Sequence, residues 1–204
     1  MFLAIQQYAE DLCQHFDEIS AGRKLTLDGL AEYISFKRKQ NNLVNLVYIC
    51  THNSRRSHFG QIWAKVASVF YHIDGVNTFS GGTESTAFNA NAVGALKQIG
   101  FRFTILIDGH NPVYEVLFDE MADPIICFSK TYNHPTNPQN NFAAIMTCSE
   151  ADENCPLIKG ADLKFACTYE DPKDFDNTHL QDQKYNERCR QIALETFYLF
   201  SRLN

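Results

Sequence analysis

The segment Cys50-Thr51-His52-Asn53-Ser54-Arg55-Arg56-Ser57 holds the residue types best suited to chemistry. It is a polar loop between an apolar run, Leu43 to Ile49, and a helical pattern that begins near Ser57. In such a strand, loop and helix, successive backbone N–H groups and the positive end of the helix dipole converge on one point, which suits an anion. Arg56, in the first helical turn, can lay a planar fork of donors on two oxygens of a tetrahedral oxyanion. Thr51, His52, Asn53, Ser54 and Arg55 complete the ring around it. The same field favours thiolate over thiol at Cys50, making it a nucleophile at neutral pH. Ser57 is placed to donate a hydrogen bond to that sulfur. The plainer alternative is a small buried residue that ends a strand, with Arg56 a surface cation. Spacing alone does not separate the two, but the position of the loop between strand and helix favours the anion site.

Two further segments carry candidate groups. Cys148-Ser149-Glu150-Ala151-Asp152-Glu153-Asn154-Cys155-Pro156 places two thiols with six residues between them. Zinc ligands are usually separated by about two to four residues, so the gap points away from a metal. Packed thiols or a redox pair remain, and the polar composition predicts that the segment is exposed. Asp171 precedes Pro172, which holds it extended and on a loop. Taken by itself, Asp-Pro reads as a turn.

Positioning these groups requires a sheet. Leu43 to Ile49 is nearly continuous in apolar residues, as in a strand buried on both faces of a parallel sheet. Ser57 to Tyr71 reads as a helix, Val76 to Ser80 as the next strand, and Asn89 to Ile99 as a helix capped by Gly100. Phe142 to Thr147 and Leu163 to Cys167 supply the third and fourth core strands, and Tyr185 to Leu203 the closing helix. The expected fold is α/β, a four-stranded parallel sheet with helices on both faces. Residues 103–139 are less regular and read as an insertion, with Val113 to Phe118 and Ile125 to Phe128 pairing as a hairpin. Ahead of the catalytic region at 43–204, residues 1–42 form a helical extension. There Phe2, Ile5, Ala9, Leu12, Phe16 and Ile19 line one helix that Ser20-Ala21-Gly22 ends, and a shorter one closes on Lys37-Arg38-Lys39. Capping the core is the expected role of this extension.

Of the 204 residues, 45% are apolar and 21% charged, an ordinary globular composition. The net charge of −6, without a broad basic stretch, argues against nucleic acid as a partner. No apolar run approaches the roughly 18 residues of a membrane span, and the opening turns polar at Gln6, too soon for a secretory signal. A cytoplasmic protein is expected, with its seven cysteines as thiols rather than a disulfide framework. Cys13, Cys127, Cys167 and Cys189 match no motif and read as packing residues.

Cys50 to Ser57 resembles the phosphate-binding loop of the low-molecular-weight protein tyrosine phosphatase fold. Ser80-Gly81-Gly82-Thr83-Glu84 is similar to that fold's short motif after the second strand. Most of residues 43–204 share the resemblance, with the extension and the insertion outside it. The fold serves phosphatases and thioredoxin-coupled arsenate reductases, and Cys148 to Pro156 resembles the redox segment of the reductases. Reducing As(V) to As(III) takes two electrons, which a pair of thiols can supply. The resemblance implies that Cys50 attacks arsenate while Asp171 acts as general acid, and that a disulfide then passes from Cys50–Cys148 to Cys148–Cys155 for thioredoxin to reduce. It implies no bound cofactor.

The alternative is a phosphatase for phosphotyrosine or a small phosphate ester, working through a phosphocysteine, with Cys148 and Cys155 as a redox lock. A regulatory module that only binds an oxyanion is a third reading, against which the intact Cys50 and Asp171 speak. His52 stands where relatives have Gly, and Arg55 where they have a small or apolar residue or another Cys. Lys173 and Asp174 follow the Asp-Pro where phosphatases often carry aromatic residues, which favours the reductase.

Overall fold

The computed structural model describes residues 1–155 and 157–203. Pro156, part of the second cysteine segment, lies outside them. Four parallel strands, β1 (Val44–Cys50), β2 (Val76–Gly82), β6 (Phe142–Met146) and β7 (Ala161–Ala166), form a sheet in the order β2-β1-β6-β7. The two central strands, β1 and β6, are buried on both faces, which explains their apolar runs, whereas the edge strand β7 has no fully buried residue. Leu46, Tyr48, Ala143 and Ile145 enter the main core with helices α1 (Leu3–Cys13), α2 (Ala21–Lys39), α3 (Arg56–Phe70), α4 (Ala90–Ile99) and α6 (Gln181–Ser201). Val47, Ile49, Ala144 and Met146 point the other way, into a smaller cluster closed by Ala151 of α5 (Ser149–Asn154) and by Ile158. The expected four-stranded parallel sheet with helices on both faces is present. Asn89 caps α4 through its side chain, and Gly100 ends it at φ 117°, a left-handed conformation that favours glycine.

The insertion holds more structure than its sequence indicates. The β4 (Val113–Leu117) and β5 (Ile125–Cys127) hairpin is present, and β3 (Arg102–Ile107) joins it to make a three-stranded antiparallel sheet. Ile105, Leu106 and Ile107 are all exposed, so β3 carries no alternation by which to be recognised.

The N-terminal extension departs from expectation in its phasing. α1 stops at Cys13, Phe16–Glu18 forms a 3₁₀ turn, and Ser20 begins α2 instead of ending a helix. Its hydroxyl accepts from the Arg23 N–H at 3.3 Å, an N-cap that outweighs the helix-stopping tendency of Gly22. Phe16 and Ile19 still reach the core, from outside α1. α2 does end on Lys37, Arg38 and Lys39, with Lys37 paired to Asp162 at 2.7 Å.

Candidate active site

All the candidate groups lie at or beyond the carboxyl ends of the parallel strands, the usual location of sites in open α/β sheets. β1 ends in Cys50, β2 ends in Gly81 and Gly82, β6 leads to Cys148, and β7 leads to Asp171. Close backbone approach draws the loops together. Thr83 N–H donates to the Cys50 carbonyl at 3.1 Å and Glu84 N–H to the Thr51 carbonyl at 2.9 Å. A Cβ on Gly82 would stand 2.7 Å from both the Asn53 nitrogen and the Thr51 carbonyl oxygen, so only glycine allows this approach.

Cys50 is 3% exposed, and its Sγ lies 3.1 Å from Ser57 Oγ. Ser57 Oγ accepts from Asn53 Nδ2 at 2.9 Å, which leaves the serine's own proton free to point at the sulfur. Asn53 turns the loop at φ 44°, a left-handed position that asparagine tolerates better than most residues, and its Oδ1 accepts from the Lys130 N–H at 2.9 Å. Thr51, Asn53, Ser54, Arg56 and Ser57 are all buried, an unusual concentration of polar side chains.

Arg56 donates through Nη1 to the Tyr169 carbonyl at 2.7 Å and through Nη2 to Asp171 Oδ2 at 2.5 Å. Its buried Nε has no partner among the described residues. Asp171 caps the 3₁₀ turn Pro172–Phe175, accepting from the Lys173 N–H at 3.1 Å, so the residue before Pro172 is extended as predicted and faces Arg56.

Arg55 reaches the other side of Asp171, its Nε 3.9 Å from Asp171 Oδ1. Its Nε donates to the Tyr185 hydroxyl at 2.7 Å and Nη2 to Asp176 at 3.3 Å. The His52 ring is half-exposed, with Nε2 3.9 Å from Glu84 Oε1, while its carbonyl accepts from the Ser129 hydroxyl. His58 was not legible as part of this region. It is buried, stacked on Phe88 with centroids 4.0 Å apart, and sits 3.3 Å from Ser80 Oγ. Burial first, and then the Lys130 charge, hold its pKa well below the usual histidine range.

The exposure predicted for the second cysteine segment does not hold at Cys148, which is 2% exposed. Phe142, Ala144, Met146 and Cys148 alternate onto one side, so Cys148 continues the inward face of β6 into the smaller cluster. That cluster holds Cys50 and Cys148, with Cys155 packed against it partly buried. Cys148 Sγ lies 3.4 Å from Thr51 Oγ1, and the Thr51 hydroxyl donates to Glu150 Oε2 at 2.9 Å. Neither Thr51 as a bridge between the two cysteine segments nor Glu150 as its acceptor was evident in the sequence. Lys164 fastens the far end of α5, donating to the carbonyls of Asp152 (3.0 Å) and Cys155 (3.2 Å) and pairing with Asp152 Oδ1 at 2.9 Å.

The other cysteines are packing residues, as predicted. Burial pushes the thiols of Cys127 and Cys189 up to about 12 and that of Cys167 up to about 11. Cys13 is partly buried against the Tyr71 hydroxyl at 3.2 Å. Among the described residues, no three His, Cys, Asp or Glu side chains are grouped to hold a metal ion, and no helix is long and apolar enough to cross a membrane.

No family model matches the chain. An arsenate reductase of Staphylococcus aureus is 27% identical over 127 residues, covering 62% of this chain and 77% of the relative. The Bacillus subtilis arsenate reductase is 25% identical over 146 residues, covering 71% and 86%. The crystal structure of a low-molecular-weight protein tyrosine phosphatase from T. tengcongensis superimposes with a TM-score of 0.53 at 14% identity, covering 78% of this chain and 99% of that one. The chain is thus similar in sequence to arsenate reductases and shares the fold of a low-molecular-weight protein tyrosine phosphatase.

Proposed function

We propose that the protein is a thioredoxin-coupled arsenate reductase of the cytoplasm. The observation that carries this reading is the shared burial of Cys50 and Cys148 in one small cluster, with Cys155 against it and the Thr51 hydroxyl touching the Cys148 sulfur. Arsenate would sit over the loop amides of residues 51–55 and the Arg56 fork, exchanging for part of the Arg56–Asp171 pairing. Cys50 Sγ attacks arsenic and forms an S–As bond, while an As–O bond breaks and that oxygen takes a proton from Asp171 to leave as water. Ser57 holds the sulfur in line. Cys148 Sγ then attacks Cys50 Sγ. The S–As bond pair stays on arsenic, which leaves as arsenite, two electrons richer, and a Cys50–Cys148 disulfide remains. Cys155 Sγ attacks Cys148 Sγ and releases Cys50 as thiolate. Thioredoxin, a dithiol from outside, reduces the Cys148–Cys155 disulfide.

Since Cys148 is buried, α5 must open for the last two steps, because a disulfide needs Cα atoms within about 7 Å. Six helical residues make a short element to unwind.

The test is thioredoxin-dependent NADPH oxidation with arsenate, run beside aryl phosphate hydrolysis on the same preparation. The reductase consumes NADPH and loses that activity in both Cys148→Ser and Cys155→Ser. Aryl phosphate turnover that survives both substitutions under reducing conditions, with no arsenate-dependent NADPH oxidation, would instead make the protein a phosphatase with a cysteine lock.

A further inference from the structure

A cavity of about 460 Å³ lies between α3, β2 and β5, lined in part by Gln61, Lys65, Phe79, Ile125, Phe128 and Lys130. None of the groups assigned above to the reaction lines it. Lys130 is 4% exposed, and lysines so buried are normally paired. Among the described residues no carboxylate or carbonyl oxygen engages its Nζ, which sits 4.5 Å from the Phe128 ring centroid. Burial draws its pKa below the ordinary lysine range, and the Cys127 thiol is the group that opposes this shift. The main chain of Lys130 is fully committed, its N–H to Asn53 Oδ1 at 2.9 Å and its carbonyl to the Gly82 N–H at 2.9 Å, so the backbone fixes where the side chain emerges.

The Lys130 side chain lines an apolar-walled cavity and meets no counter-ion among the described residues, so an anionic ligand there would gain from its charge. The rest of the lining narrows the class. Val76, Phe79, Ile125 and Phe128 make an apolar wall. Lys65 adds a second cation and Asp123 an exposed carboxylate, so the lining carries a net single positive charge, two lysines against one aspartate. We propose that this cavity binds a small organic monoanion, a carboxylate on a flat apolar body, with the carboxylate on Lys130 and the body against Phe79 and Phe128. The site is separate from the oxyanion loop and does not depend on the reading of Cys50.

Para-bromobenzoate is a suitable probe, with its neutral isostere para-bromobenzamide as control. Calorimetric titration of the wild-type protein, in saturating phosphate to occupy the oxyanion loop, should show the acid binding at least about tenfold more tightly than the amide. Lys130→Met should bring the acid down to the affinity of the amide. The anomalous signal of bromine in soaked crystals should lie in this cavity. Equal affinity for acid and amide, no binding of the acid, or bromine located only elsewhere would each overturn the proposal. Should Lys130→Met fail to fold, the comparison of acid and amide on the wild type decides alone.

Discussion

At the scale of single residues, Cys50 differs from the other thiols in its surroundings. Cys127, Cys167 and Cys189 are buried, and burial outweighs the charged or donor groups beside them and disfavours their thiolates. Cys50 instead ends a strand against Ser57, Asn53 and the buried guanidinium of Arg56. Brief treatment of the native protein with iodoacetamide at neutral pH should label Cys50 ahead of these three, read by peptide mass mapping, and phosphate should protect it. Equal labelling of Cys127 would show that the loop confers nothing on its sulfur. Asp171 is held by Arg56 and the Lys173 N–H with its carboxylate toward the loop. Asp171→Asn keeps the shape but removes the proton donor, so single-turnover adduct formation should slow by about 10²–10⁴-fold with arsenate affinity little changed. An unchanged rate would exclude Asp171 as the acid.

Elements set what these residues can reach. The loop, the strand–helix order and the Asp171 turn were legible because each has a local signature: an apolar run, a helical period, a proline. Asn53 was legible as a loop residue but not as its left-handed corner, since that role depends on Lys130, far along the chain. The burial of Cys148 was missed because the polar residues after it suggest exposure, while its own side chain follows the alternation of β6 inward. β3 was missed for the opposite reason, an apolar stretch that the structure leaves exposed. Lys164, which pins α5 to β7, has no sequence signature at all. In the proposed relay, its three contacts restrain the helix that opens for Cys155 to reach Cys148. Contacts of this partly exposed kind contribute about 1–2 kcal/mol together. Lys164→Met should therefore speed Cys148–Cys155 disulfide formation in a rapid-quench experiment by about five- to thirtyfold while leaving the first, arsenic-binding step alone. Slower disulfide formation would mean that Lys164 positions Cys155 rather than restraining it.

Across the whole molecule, the N-terminal helices do more than cover the core. Arg23 of α2 donates to the Thr168 carbonyl at 2.6 Å, pairs with Glu195 of α6 at 3.3 Å and stacks over the Tyr169 ring. Tyr169 donates its hydroxyl to Glu195 at 2.7 Å, and its carbonyl accepts from Arg56. A chain of contacts thus runs from the extension to Arg56. Burial raises the pKa of Glu195, and Arg23 opposes that shift, so removing Arg23 would leave a buried carboxylate short of its cation. Arg23→Met should lower Tm by about 6–20 °C, given about 3–5 kcal/mol for breaking a buried pair. It should also weaken arsenate binding, measured well below the new Tm. A variant with unchanged Tm and affinity would make the extension a mere cover. The insertion is tied in as well, through the Phe2 N–H to the Phe118 carbonyl at 2.8 Å and Arg102 over the Phe2 ring.

The most direct test is a single turnover of the fully reduced protein with arsenate and no thioredoxin, quenched in acid and mapped for disulfides. The expected products are one arsenite per protein, a Cys148–Cys155 disulfide and a free Cys50 in the wild type, with a Cys50–Cys148 disulfide in Cys155→Ser. Arsenate recovered unreduced, with all three thiols intact, would contradict the proposed relay.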